Sequence, residues 1–247
     1  MGWGLFRLDL EVRPAQALTI VATALAVQAL ATRWIGLPRL DLRSPLISAM
    51  SLCLLLRTSS LTLAIFAAIL AIGSKFLIRS RGKHIFNPSA FALVVLLALP
   101  GDAVWISGGQ WGSAALALFA VSGIGHLVVR RAKRSDVTWA FLIAYTVLLF
   151  GRATWLGDPW TIGWHQLCRG SLLIFAFFMI SDPRTAPNSR GGRILWATLI
   201  AAGALYIEHY LFHPNGPLWA LMAGALLVPA IDRLMPAERH RWRRGAT

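Results

Sequence analysis

The sequence predicts an all-α polytopic membrane protein, an inverted repeat with broken helices, on three observations. Hydrophobic residues make up 57% of the 247-residue chain against 14% charged, with mean hydropathy +0.62, more apolar surface than one soluble core of this length hides. Those residues gather into runs of helical length. Two turn motifs then recur, in the two halves, at nearly the same spacing.

Long apolar runs stand at about 16–35, 61–78, 114–129, 137–150, 194–212 and 218–234, each near or somewhat below the length that ~30 Å of hydrocarbon requires. Three runs are too short to span comfortably: Ser44 to Leu56, Ser89 to Leu99 and Ser171 to Ile180. They read as half-helices, which a membrane tolerates only where protein or a cavity surrounds them. The sum is about nine membrane segments in a single domain over 1–247, with repeats at 16–129 and 137–234 and a basic tail at 235–247.

The net charge of +14 does not form a nucleic-acid face, because Lys and Arg sit in short loops between apolar runs. Lys75, Arg79, Arg81 and Lys83, then Arg130, Arg131, Lys133 and Arg134, and the tail Arg239, Arg241, Arg243 and Arg244 mark the cytoplasmic side. The Trp-rich loops 100–113 and 151–168 then face outward, with the C-terminus inside and the N-terminus outside. The lipid bilayer of a bacterial inner membrane is the expected surrounding. No cleavable signal is evident, since Arg7, Asp9 and Glu11 interrupt the first residues. Cys53 and Cys168 have no CxxC partner and support neither a disulfide framework nor a metal knot.

Ser44-Pro45-Leu46 before one short run matches Gly170-Ser171-Leu172 before another, an offset of 170 − 44 = 126, while Asn87 and Asn215 differ by 215 − 87 = 128. Agreement this close indicates a duplicated unit. Five elements precede the second copy, so the copies run in opposite directions. Inverted repeats with broken helices place a binding site near the midplane, where helix N-termini offer free N–H groups.

Ser74-Lys75-Phe76, Gly82-Lys83-His84-Ile85-Phe86-Asn87-Pro88 and Phe177-Phe178-Met179-Ile180-Ser181-Asp182-Pro183-Arg184-Thr185 together resemble the RnfD/NqrB family. Those proteins are membrane subunits of Rnf complexes and of sodium-pumping NADH:quinone oxidoreductase. The resemblance implies a urea-transporter-like fold of ten helices carrying flavin in a transmembrane electron pathway, with polar side chains at the positions of His84 and Asn87 near a noncovalent riboflavin. His84 departs from the Asn of the family pattern. The family attaches FMN covalently to a Thr in a Ser-Gly-Ala-Thr motif after an Asp-x-Val-Trp-like stretch. Here Asp102-Ala103-Val104-Trp105 is followed by Gly112-Ser113-Ala114-Ala115. Ala115 has no hydroxyl, so no covalent FMN is expected. The resemblance also implies that the family's first helix is missing.

The candidate flavin-binding residues are Lys83, His84, Phe86, Asn87, Ser48, Ser181, Asp182 and Thr185. Asn87 suits a neutral planar ring whose edge an amide can pair; equally, Asn before Pro88 is a helix cap. Asn215 reads as a cap alone. Asp182, with Arg184 and Arg190 near, reads as an ion-paired junction or as part of a cavity shared by Ser181, Thr185, Ser48 and Ser51. His126 and His209 lie at opposite ends of the fold and cannot share one haem. Glu208 beside His209 could pair with Arg152, and His165-Gln166 has no metal-ligand companion at useful spacing. Gly123-Ile124-Gly125 reads as close helix packing.

Two functions follow. The first is an inner-membrane subunit holding a noncovalent flavin, riboflavin or FMN, in an electron pathway with partner redox proteins. The other is a urea-transporter-like channel or carrier for a small neutral solute or a flavin. A third is a structural subunit that has lost redox chemistry.

Overall fold

The computed structural model describes residues 13–36, 39–80, 82–101, 103–107, 123 and 125–238. Helix α1, Pro14–Trp34, opens with Pro at its first position, where the missing N–H costs nothing. It is followed by α2 (Arg43–Leu55), strand β1 (Leu56–Thr58), α3 (Leu61–Leu77), β2 (Arg79–Ser80), β3 (Lys83–His84), α4 (Pro88–Leu97) and β4 (Val104–Ile106). The second half contributes α5 (Ser135–Leu156), α6 (Trp160–Leu167), α7 (Gly170–Ile174) running on as a π-helix over Phe175–Met179, α8 (Arg190–His209), α9 (Gly216–Ala225) and α10 (Val228–Leu234). Residues 125–131 are also helical.

The packing order repeats between halves. α1 packs on α3 and α3 on α4, as α5 packs on α8 and α8 on α9, while the half-helices α4 and α9 meet each other. Polar bonds pin these contacts: Thr138 Oγ1 of α5 donates to Ala176 O of the π-helix at 2.8 Å, and Trp196 Nε1 of α8 donates to Gly224 O of α9 at 2.8 Å. α1 faces inward through Gln16, Ile20, Ala24, Gln28 and Thr32, every fourth residue, as one stripe of a 3.6-residue helix must. Outward it exposes Leu18 and Leu30, and α5 exposes Ile143, Val147 and Trp155, apolar faces suited to lipid.

By length and composition α1 and α5 can each cross a membrane among the described residues, and α9 with α10 pass the same test together although bent by 52°. The 218–234 run is thus not one straight helix. Pro229, second in α10, lacks the N–H that a continuous helix would use. α2, α3, α4 and the α7–π segment are shorter apolar helices, and the 114–129 run lies mostly outside the described residues.

Two elements go beyond the sequence reading. The turn after α3 is a β2–β3 hairpin pairing Arg79 with His84 and Ser80 with Lys83, closed at Gly82 with φ +78°, a left-handed value that favours Gly in tight hairpins. The loop 151–168 contains α6, which exposes Trp160, Ile162 and Trp164. Of the 123–125 glycines, Gly125 is the close contact, since a Cβ there would lie 2.7 Å from Phe177.

At Gly216 a Cβ would stand 2.3 Å from Ala204 O, whereas at Gly73, inside α3, it would meet nothing within 4 Å. Gly216→Ala should therefore lower stability by about 1–3 kcal/mol through overpacking, and Gly73→Ala should be neutral or stabilising. Thermal unfolding of both variants in mild detergent checks the contrast.

Candidate functional site

Two polar clusters lie at opposite ends of α8. Arg190 and Glu208 are 18 residues apart on it, ~27 Å at 1.5 Å per residue. The basic end gathers most of the residues singled out in the sequence. Asn87 caps α4, its Oδ1 accepting from Ser89 N and Ala90 N at 3.1 Å each. Its amide Nδ2 donates across the halves to Met179 O and to Asp182 Oδ2, both at 3.4 Å. Lys83 Nζ donates to Ala186 O at 2.6 Å, Asn188 Oδ1 at 3.3 Å and Asp232 Oδ2 at 3.1 Å. Asp232 also accepts from Asn188 N and Nδ2. Asn188 O in turn accepts from Arg193, which is ion-paired with Asp136.

Asp182 is not ion-paired in the way its neighbours suggested. Its Oδ1 accepts from the Arg184 backbone N–H at 2.9 Å, while the Arg184 guanidinium lies 3.4 Å from His84 Nε2. The turn geometry explains this, because an Asp two residues ahead accepts the backbone N–H and leaves the long side chain free to swing away. Burial pushes the Asp182 carboxyl above its ordinary value, opposed by the Arg184 N–H, by Arg184 and Lys75, and by the Asn87 amide. His84 is pushed down to about 4, chiefly by burial and then by Arg184, Arg79 and Lys75.

The hydroxyls are turned to their own segments. Ser48 Oγ donates to Ser44 O, Ser51 Oγ to Ile47 O, Ser181 Oγ to Phe177 O and Thr185 Oγ1 to Asp182 O. Ser48 joins the cluster only through its carbonyl, which accepts from Ser89 Oγ at 3.2 Å. Phe86 stacks on Phe91 at 5.5 Å. Beside Lys83, His84, Asn188 and Asp232 lies a cavity of about 200 Å³.

The opposite end holds the larger cavity, about 470 Å³, lined among others by Tyr145, Gln166, Arg169, Phe175, Glu208 and His209. Tyr145 OH donates to Glu208 Oε2 at 3.1 Å, and the Gly216 backbone N–H at the start of α9 also reaches the Glu208 carboxylate. The buried Gln166 Oε1 and His209 Nε2 have no hydrogen-bond partner. Arg152 pairs with Asp158 at 3.1 Å instead of with Glu208, because Asp158 follows the left-handed Gly157 that ends α5 and turns the chain back. Asn215, read as a second cap, has φ 63° and makes no side-chain cap bond. No group of three or more metal-ligating side chains occurs among the described residues.

Sequence reasoning named Gln166, Glu208 and His209 but gave them no site, and it passed over Tyr145, Arg169, Asn188 and Asp232. Their signal was a carboxylate inside an apolar run; their partners come from elements that pack only in the fold.

Residues 100–240 match the NQR2, RnfD, RnfE family. The chain belongs to that family. Among curated relatives, the RnfD protein of the ion-translocating oxidoreductase complex of Escherichia coli O1:K1 / APEC is 27% identical over 143 residues, 57% of this chain and 36% of the relative. The protein of the same description from Shigella boydii serotype 18 gives the same figures. The matched part thus spans about a third of each relative. The stretch matched to the family holds Asp182, Asn188, Glu208 and Asp232, whereas Lys83, His84 and Asn87 precede it.

His84 sets a pH dependence. Its pKa near 4 in the fold lies below the ~6.5 of an unfolded His, so the stability it contributes is present above pH ~6.5 and lost as pH falls toward 4. The thermal midpoint of detergent-solubilised protein should drop across that window, and His84→Gln should flatten the drop. At constant pH near neutrality, Lys83→Met should cost about 2–4 kcal/mol by leaving Asp232 without its cation, read as lowered thermal stability.

Proposed function

We propose that this NQR2, RnfD, RnfE family chain is a bacterial inner-membrane subunit that holds a noncovalent flavin, riboflavin or FMN, in the Glu208-end cavity and works with partner redox proteins. The observation that carries the reading is the pair of unsatisfied polar atoms, Gln166 Oε1 and His209 Nε2, at a cavity of about 470 Å³, within the ~300–1,000 Å³ of small-molecule sites. An isoalloxazine edge offers donors and acceptors that such atoms lack, and Tyr145, Phe175 and Phe212 supply aromatic neighbours. A bound flavin would supply one- and two-electron chemistry. Gln166 would orient its polar edge, and the apolar wall of Leu55, Ile106 and Leu172 would keep water from its ring.

The basic-end residues fit a flavin less well. Lys83, Asn87, Ser181 and Thr185 already bond to protein, and the cavity of about 200 Å³ beside them is smaller than such a ring needs. Their role in this reading is to join the two halves. The repeated packing order supports a duplicated, inverted unit akin to urea transporters, and Lys83, Arg130 and Arg131 at loops support placing this end and the C-terminus in the cytoplasm. One flavin cannot cover ~30 Å of hydrocarbon, so electrons need neighbours on either side. The relatives' description as one member of a complex supports such partners.

Gly112-Ser113-Ala114-Ala115 and Asp102 lie outside the described residues, and the expectation of noncovalent attachment rests on the missing hydroxyl of Ala115. Visible spectra before and after acid precipitation test the reading: flavin should appear in the supernatant. Gln166→Leu should reduce the flavin-to-protein ratio about tenfold, while Asn87→Ala should lower stability and leave that ratio near the parent value. Flavin-free protein that carries urea-sized solutes in proteoliposomes would replace this reading with the channel.

A further inference from the structure

Glu208 is a carboxyl on an apolar helix, and nothing in the binding of a neutral ring requires it. Every strong donor around it points at its carboxylate. Tyr145 OH reaches it from α5 and the Gly216 N–H from the first turn of α9, where the helix dipole is positive. Gly216 is forced to this distance, since a Cβ there would lie 2.7 Å from Glu208 Cγ. The other charged or titratable neighbours are Arg169 before α7, His209 on α8 and His213 beyond it, all lining the same cavity, with Arg152 and Asp158 acting on His209.

We propose that Glu208 is the proton-exchange site of this cavity, its carboxylate taking up a proton when the charge of a redox ligand beside it becomes more negative. The ligand half of this proposal rests on the flavin reading above; the proton site itself does not. The step balances simply. Electrons enter the ligand from a partner redox protein, an O–H bond forms on Glu208, and the proton comes from water at the cavity mouth. Tyr145 is a positioning residue, because its O–H favours the ionised carboxylate.

The test is the midpoint potential of the bound flavin against pH, measured by spectroelectrochemistry on the purified full chain. Over the interval in which Glu208 takes part, the parent plot should be steeper by about 30 mV per pH unit, one proton per electron pair. Glu208→Gln, which keeps shape and hydrogen-bonding capacity, should lose that extra slope. Tyr145→Phe should keep it and move the interval to higher pH, and His209→Gln should leave it in place. Equal plots for parent and Glu208→Gln, or loss of the slope only in His209→Gln, would overturn the proposal. If the protein carries no flavin, the flavin reading fails, and infrared difference spectra on acidification decide the proton site separately. A protonated-carboxyl band present in the parent and absent in Glu208→Gln sustains it; identical spectra sink it.

Discussion

Lys83 carries its ammonium group to Asp232, 149 residues along the chain, and the joining of the two halves depends on that contact. Asp232 has both oxygens engaged, by Lys83 and by the backbone and side chain of Asn188. Through Asn188 the network passes to Arg193 and Asp136, so β3, α10, α8 and α5 are held by one run of charge-assisted bonds. In a low-dielectric surrounding such a set is costly when incomplete and rigid when complete. Here each of these carboxylates has a cation.

The two ends of α8 differ in what they do with their polar groups. At the basic end they are engaged with one another, and little space remains. At the Glu208 end a larger cavity keeps Gln166 Oε1 and His209 Nε2 without partners. The cap residues show the same contrast. Asn87 bonds the first N–H groups of α4 with its own side chain, while left-handed Asn215 does not and α9 turns its first N–H toward Glu208 instead. A tie and a pocket can therefore arise from similar helix starts.

Much of the helical framework was legible in the sequence because apolar runs bracketed by Pro, Gly and Arg mark helices directly: α1, α2, α4, α5 and the α7–π segment fall where expected. The bend between α9 and α10 was not, since hydropathy ignores the backbone donor that Pro229 lacks. The meeting of Asn87 with Asp182 was foreshadowed only as two marked turns. The partners of Lys83 and Glu208 were invisible, because a lone charge announces that it needs a partner without saying which distant element brings it. The Arg152 expectation failed for that reason: Asp158, six residues away, was the local solution.

The π-helix at Phe175–Met179 holds one more residue per turn than its α-helical surroundings would. Were that residue removed, everything beyond it would be turned by about 100° around the helix axis. Asp182, now facing the cap of α4, would be swung off the interface, and Asn87 would lose its partner without itself being altered. The wide turn thus works as an alignment shim between the two halves, and chain length within this short segment matters as much as which side chains it bears.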